Sequence, residues 1–306
     1  MTPSDLEVAH SELRERLFAA GHLIPTGVDG LYGKSEEYET VLQGVQAACS
    51  RLARPDAPRF ASFPPMLPRT IFDKIQYLRN FPQLSGPVYS FRGDDAAHGE
   101  LIRRLDAGEQ YEDLLTQTDV ALTPACCYPL YPSLPHDLPD DGVIIEHQTY
   151  CFRHEPSVDP MRLQAFRMWE NVRVADPDRV LAWREVWLGR LVELFDQLQL
   201  EARADVANDA FFGRVGRLMA MGQRANQLKI EFLVPVFGED DPTACASVNY
   251  HRNHFGELYH LHMPDGSEAH SSCAGVGLDR CAVALFQRHG MSSAAWPSPV
   301  RAALWG

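Results

Sequence analysis

The apolar positions Leu13, Leu17 and Phe18 fit one face of a helix that Gly21 ends, and Ser4-Asp5-Leu6-Glu7 upstream matches a capping-box pattern. A second helix is predicted after Ser35, where Tyr38, Val41, Leu42, Val45, Cys49 and Leu52 recur at helical spacing. The run Phe60–Arg69 contains three prolines, which remove ladder donors, so an edge or interface segment is expected there. Residues 142–155 alternate as a strand with Val143, Ile145 and Phe152 in the core. Asp176-Pro177 reads as an N-cap followed by a first-turn proline, opening a long helix through Val186, Trp187, Leu191, Leu194, Phe195 and Leu198. A further helical stretch covers about 208–226, and strands are expected over Lys229–Val236 and across 244–263. A last helix should follow Gly275-Val276-Gly277 and end near Gly290. Late strands arriving without regular helical crossovers point to an α+β fold, a mainly antiparallel sheet flanked by helices.

Composition narrows the class without naming a chemistry. The 306 residues are 45% hydrophobic and 23% charged, ordinary values for a soluble enzyme and enough chain to bury a sizeable core. With 28 Lys and Arg against 41 Asp and Glu the net charge is −13, which argues against a surface built to bind nucleic acid. The start, Met1-Thr2-Pro3-Ser4-Asp5-Leu6-Glu7, is not a secretory signal, and no apolar run reaches the roughly 18 residues of a spanning helix. The seven cysteines are odd in number and unevenly spaced, so reduced thiols and a cytoplasmic location are expected.

Four constellations are candidates for chemistry. Gly33-Lys34-Ser35 is not among them, because a P-loop needs glycine where Val28 stands. In Phe152-Arg153-His154-Glu155, a strand would put Arg153 and Glu155 on one face, beside a loop bearing Arg162, Phe166 and Arg167. Such a set can bind phosphate, stack on a base and accept from an exocyclic amine, although a surface hairpin laced with ion pairs has the same pattern. Gly275-Val276-Gly277-Leu278-Asp279-Arg280 opens a helix with a cation in its first turn, which the helix dipole disfavours unless an anion is nearby; otherwise it is a tight strand-to-helix connection. Cys126-Cys127 and Cys273 lie outside any CxxC unit, and spacing alone does not separate metal ligands from buried inert thiols. His251, His254, His260, His262 and His270 crowd one stretch, where His260 and His262 would share a strand face as metal ligands or as half-exposed strand residues.

In this order the pieces resemble the catalytic core of class II aminoacyl-tRNA synthetases, with Phe152 to Glu170 similar to motif 2 and Gly275 to Arg280 similar to motif 3. Thr123-Pro124-Ala125-Cys126-Cys127-Tyr128-Pro129, Phe152-Arg153-His154-Glu155-Pro156-Ser157 and His270–Arg280 resemble more closely the amino acid:[carrier protein] ligases. These are bacterial relatives of the atypical, zinc-dependent seryl-tRNA synthetases that have lost the tRNA-binding domain. The likeness runs from about Leu23 to Trp296.

The resemblance implies a single class II synthetase-like domain over 1–306, with a carrier-docking helical insertion around 176–226 and the 176–204 helix as the docking candidate. It implies one zinc ion on Cys127, Glu170 and Cys273, with an open position for the substrate amine and Cys126 as the adjacent alternative. Arg153 would hold the α-phosphate and the substrate carboxylate, Glu155 the adenine amine, and Phe166 would stack on the base. Arg280 would take the γ-phosphate, while Arg162, Leu163, Lys229 and Glu231 complete the ATP site. Ala244, Cys245, Ala246 and Ser247 would line the amino-acid pocket with Glu170. Val276 and Asp279 depart from the family pattern, where an aromatic and a glutamate are expected.

The implied reaction is ATP- and Mg²⁺-dependent activation of a small amino acid, glycine or alanine, to an aminoacyl-adenylate. Transfer to the phosphopantetheine thiol of a carrier protein would follow, in a homodimer that uses neither tRNA nor a membrane. Three alternatives stand beside this. They are aminoacylation of tRNA by a truncated seryl-tRNA synthetase-like enzyme, a non-catalytic paralogue that senses an amino acid or adenylate, and a hydrolase metal site on the 251–270 histidines.

Overall fold

A computed structural model describes residues 2–209 and 211–306. Helix α1 (Pro3–Ala19) has its capping box two residues earlier than the pattern suggested. Thr2, not Ser4, is the cap, its hydroxyl accepting from the Asp5 N–H at 3.2 Å while Asp5 accepts from the Thr2 N–H at 3.0 Å. The hairpin β1 (Leu23–Val28) and β2 (Leu31–Lys34) follows, and then α2 (Glu36–Ala53), capped as predicted by Ser35. The proline-rich stretch yields two short strands, β3 (Arg59–Ser62) and β4 (Met66–Pro68), both at sheet edges. After the short helices α3 (Arg69–Lys74) and α4 (Tyr77–Asn80) come β5 (Pro87–Phe91), α5 (Asp95–Ala107) and β6 (Leu115–Leu122). Strands β4, β6 and β5 form a small antiparallel sheet in that order.

The remaining chain builds the central sheet: β7 (Val143–Phe152), β8 (Ala165–Ala175), α6 (Pro177–Gln197), β9 (Arg203–Val206) and α7 (Gly213–Ala225), then β10 (Lys229–Val234) and β11 (Thr243–Arg252). It ends with α8 (His254–Tyr259), β12 (His270–Gly277), α9 (Leu278–His289) and α10 (Ser298–Trp305). The seven strands run in the order β3-β7-β8-β12-β11-β10-β9. Only the β3–β7 pairing is parallel; the other five are antiparallel, so the α+β expectation holds.

Helix α6 begins at the predicted Asp176 cap and buries Trp183, Trp187, Leu191, Leu194 and Phe195 in the core beneath β8, β11 and β12. Val186 is not on that face: it is half exposed, one residue out of step with Trp187. The 176–226 stretch is therefore α6, the sheet-edge strand β9, and α7. No helix among the described residues is long and apolar enough to cross a membrane.

Two local expectations fail. The strand holding Phe152 ends there, and Arg153–Glu155 is a loop in which the Glu155 N–H donates to the Arg153 carbonyl at 2.7 Å. The 244–263 region is a strand and then a helix, because Arg252 takes a left-handed φ of 54° and turns the chain into α8. His260 caps that helix, also left-handed, and His262 lies outside any named strand, so the two share no strand face. Neither belongs to a cluster able to hold a metal among the described residues.

Candidate active site

Sheet register brings the site together. One row of directly opposed residues crosses five strands: Glu231 on β10, Ser247 on β11, Gly275 on β12, Glu170 on β8 and His147 on β7. The next row, two residues away and on the same face, contains Lys229, Asn249, Cys273 and Val172. Gly275 matters as an absence in the first row. A Cβ there would stand 3.3 Å from Glu170 Cγ and 3.4 Å from its Oε1, so glycine keeps the floor between Ser247 and Glu170 open.

At one end of the rows Cys127, from the turn after β6, meets Glu170 and Cys273. Their ligand atoms all lie within 4.8 Å of one another and all three residues are buried. The closeness of the two sulfurs pulls the Cys273 thiol well below its ordinary range and raises that of Cys127. Burial raises the Glu170 carboxyl, and its Oε2 is buried without a hydrogen-bond partner. Two thiols and a carboxylate in a water-poor corner cannot all ionise alone, since like charges there repel and lack solvation. A divalent cation of zinc's ligand preference removes the conflict, so the donor set fits the implied zinc.

Cys126, 0% exposed, faces the other way, with its sulfur 3.5 Å from His147 Nδ1. Cys126, His147 and Glu170 also fall within metal-holding distance, sharing Glu170 with the first set. Burial lowers the His147 imidazole to about 4, and its Nε2 is 4.0 Å from Glu170 Oε2. This neutral ring therefore stands beside Glu170 without pairing its charge. The sequence singled out Cys126 only as Cys127's neighbour and gave no reason to notice His147.

The cleft beside this corner is lined by Arg153, Glu155, Arg162, Leu163, Phe166, Lys229, Glu231 and Arg280, and also by Ala244, Cys245, Ala246 and Ser247. All twelve were expected to bind ATP or the amino acid, and all meet in one cavity. The Arg153 guanidinium carbon sits 5.5 Å from the Phe166 ring centroid, and its Nε donates to the Pro124 carbonyl at 3.2 Å. Arg280 is anchored by Nε donating to the Met161 carbonyl at 2.9 Å and Nη1 to the Ala244 carbonyl at 2.8 Å. Burial lowers its guanidinium, and nearby Arg153 and Arg162 lower it further. Converging guanidiniums of this kind suit an anionic ligand.

Lys229 is held by Asp209 at 2.6 Å and Glu231 at 3.0 Å. Asp209 belongs to no motif. Asp279 stands where the resemblance implies glutamate, and its side chain is almost fully buried. The buried carboxylate accepts from Tyr38 Oη at 3.1 Å and from the Arg167 N–H at 2.5 Å, and pairs with Lys34 at 2.5 Å. It therefore ties the start of α9, and with it Arg280, to β8 and β2.

Two curated proteins of Bradyrhizobium diazoefficiens align with nearly the whole chain. Amino acid–[acyl-carrier-protein] ligase 1 is 40% identical over 279 residues, covering 90% of this chain and 85% of its own, and ligase 2 is 42% identical over 277 residues. The chain belongs to this ligase family. Its members are thus the frame in which the cleft is read, and the chain is a ligase. The type-2 serine–tRNA ligase of Methanopyrus kandleri is 26% identical over 264 residues, and the chain spans 50% of that protein's length. The solved complex of A. aeolicus tRNASec with M. kandleri SerRS superposes at a TM-score of 0.81 with 22% identity, over 95% of this chain and 59% of that one. Pyrococcus horikoshii seryl-tRNA synthetase complexed with ATP superposes at 0.66 with 14% identity, again over 58% of its length. These likenesses establish a class II synthetase fold. No protein-family model matches the chain.

Proposed function

We propose that the chain activates a small amino acid, glycine or alanine, with ATP and transfers it to the phosphopantetheine thiol of a carrier protein. The observation that carries this reading is the shared wall. The arginine-lined cleft and the Cys127–Glu170–Cys273 corner meet at Gly275, which lines the cleft and lies against Glu170. An amino acid seated over Gly275 has its amine end toward the corner and its carboxylate toward Arg153. A zinc ion held by Cys127, Glu170 and Cys273 would supply a Lewis-acidic position for a free α-amine.

In the first half-reaction a carboxylate oxygen forms a bond to the α-phosphorus of ATP, the bond to the β-phosphate bridging oxygen breaks, and pyrophosphate leaves. Arg153 neutralises charge that develops at the α-phosphate, and Arg280 with Arg162 holds the leaving end; Mg²⁺ accompanies the nucleotide. Phe166 supplies a stacking face for adenine, Glu155 accepts from its amine, and Leu163 packs beside them. Lys229 and Glu231 border the polyphosphate path. The residues chiefly position and neutralise, so little acid–base chemistry is needed. In the second half-reaction the carrier's thiolate attacks the adenylate carbonyl, a thioester forms and AMP departs. The carrier would dock at the 176–226 segment of an enzyme that works as a cytoplasmic homodimer.

Glycine or alanine should drive ATP–pyrophosphate exchange, and label should then move to a holo carrier protein. Exchange with neither amino acid sinks the substrate assignment. Label moving to tRNA and not to a carrier would make the chain a tRNA ligase instead.

A further inference from the structure

We propose that Asn249 and His251 are positioning residues that hold the Cys273 sulfur in place as a metal ligand. The inference rests on the reading of Cys127, Glu170 and Cys273 as a zinc site. Asn249 is directly opposite Cys273, and His251 is the extra residue of the β-bulge between Tyr250 and Arg252 on the same strand; both side chains reach the Cys273 sulfur. Asn249 Nδ2 donates to Cys273 Sγ at 3.3 Å and to Ser247 Oγ at 3.1 Å. An amide nitrogen has two hydrogens, so it makes both bonds at once and ties the sulfur to the wall of the amino-acid pocket.

His251 presents Nε2 to the same sulfur at 3.7 Å. Its Nδ1 lies 3.0 Å from Ser271 Oγ and 3.2 Å from Tyr131 Oη, two buried hydroxyls. With either hydroxyl donating to Nδ1, the ring proton sits on Nε2 and points at the sulfur. The edge of the ring is packed on Phe255, with centroids 5.0 Å apart. Cys273 therefore receives two N–H groups from β11. A neutral thiol is a poor acceptor, so two part-buried donors aimed at one sulfur are well satisfied only by a thiolate, the form a bound cation maintains. Outer residues of this kind typically change metal affinity by about 10- to 100-fold.

The test compares the full chain with Asn249→Leu, His251→Leu and His251→Gln. Zinc affinity is read by competition with a chromophoric chelator, and the thiolate-to-metal charge-transfer band is read in the cobalt-substituted protein. Each leucine variant should lose about tenfold or more in zinc affinity and weaken the band. His251→Gln, whose amide N–H can replace Nε2–H, should recover most of both. Should a leucine variant fail to fold, Tyr131→Phe combined with Ser271→Ala removes the hydroxyls that set the tautomer, and it should weaken zinc binding in a folded protein. Unchanged affinity in folded variants overturns the inference, as does a glutamine variant no better than leucine. Absence of zinc uptake by the unaltered chain overturns the metal reading beneath it instead.

Discussion

The two faces of the central sheet are built from the same strands and serve opposite ends. On β8, β10, β11 and β12 the residues Trp169, Phe232, Val248, Ala274 and Val276 join Trp187 and Leu191 of α6 and Phe286 of α9 in the main core. One position along on the same strands stand Glu170, Glu231, Ser247, Asn249, Cys273 and Gly275, the floor of the cleft and its cysteine–carboxylate corner. The helix-covered face needs volume and apolarity, which many residues supply. The cleft face needs particular atoms at particular distances. A one-residue slip of β12 would exchange Cys273 for Ala274 and destroy the site while keeping an alternating strand.

Single substitutions should separate the faces. Arg153→Ala should reduce ATP–pyrophosphate exchange by on the order of a thousandfold or more, with an unchanged melting temperature. Trp187→Ala, on the buried face, should do the reverse. It should lose about 3–5 kcal/mol of stability by denaturant titration, and what remains folded should turn over normally. Loss of folding in Arg153→Ala would mean that the faces are not separable. Gly275→Ala places a methyl against Glu170, and it should raise the KM for the amino acid by about 10-fold or more while changing that for ATP little. An equal rise for both substrates would move Gly275 out of the amino-acid pocket. Phe166→Leu keeps apolar bulk but removes the ring, and should weaken ATP by a few-fold to about 10-fold. The smallest effect belongs to Glu100→Ala on α5, whose exposed pairs with Arg103 and Arg104 lie outside both faces. Neither melting temperature nor exchange should change measurably.

Much of this was legible in the chain. Ser35 and Asp176 mark true helix starts, and Gly277 and Gly290 bound α9 as expected, because caps and φ preferences act over a few residues. Local rules failed where a long-range contact decided the matter. The 251–270 histidines had the right residue types, yet the left-handed turn at Arg252 separates them: His251 stays on β11, His254 starts α8, His260 caps it, His262 lies in a loop and His270 opens β12. Arg153 and Glu155 line the same cleft although no strand holds them there. Asp209, His147 and Asn249 belong to no motif, and were not visible until the strands were paired.

The periodicities, the helix caps, the arginine and glycine motifs and the family they resemble can all be read along the chain. These are properties of neighbouring residues. Which cysteines gather around Glu170, what the Asp279 carboxylate joins, and which side chains stand behind Cys273 depend on tertiary contacts. Cys127, Glu170 and Cys273 are far apart along the chain, and a mutual distance under 4.8 Å is set by sheet register and by the turn after β6, which no local pattern encodes.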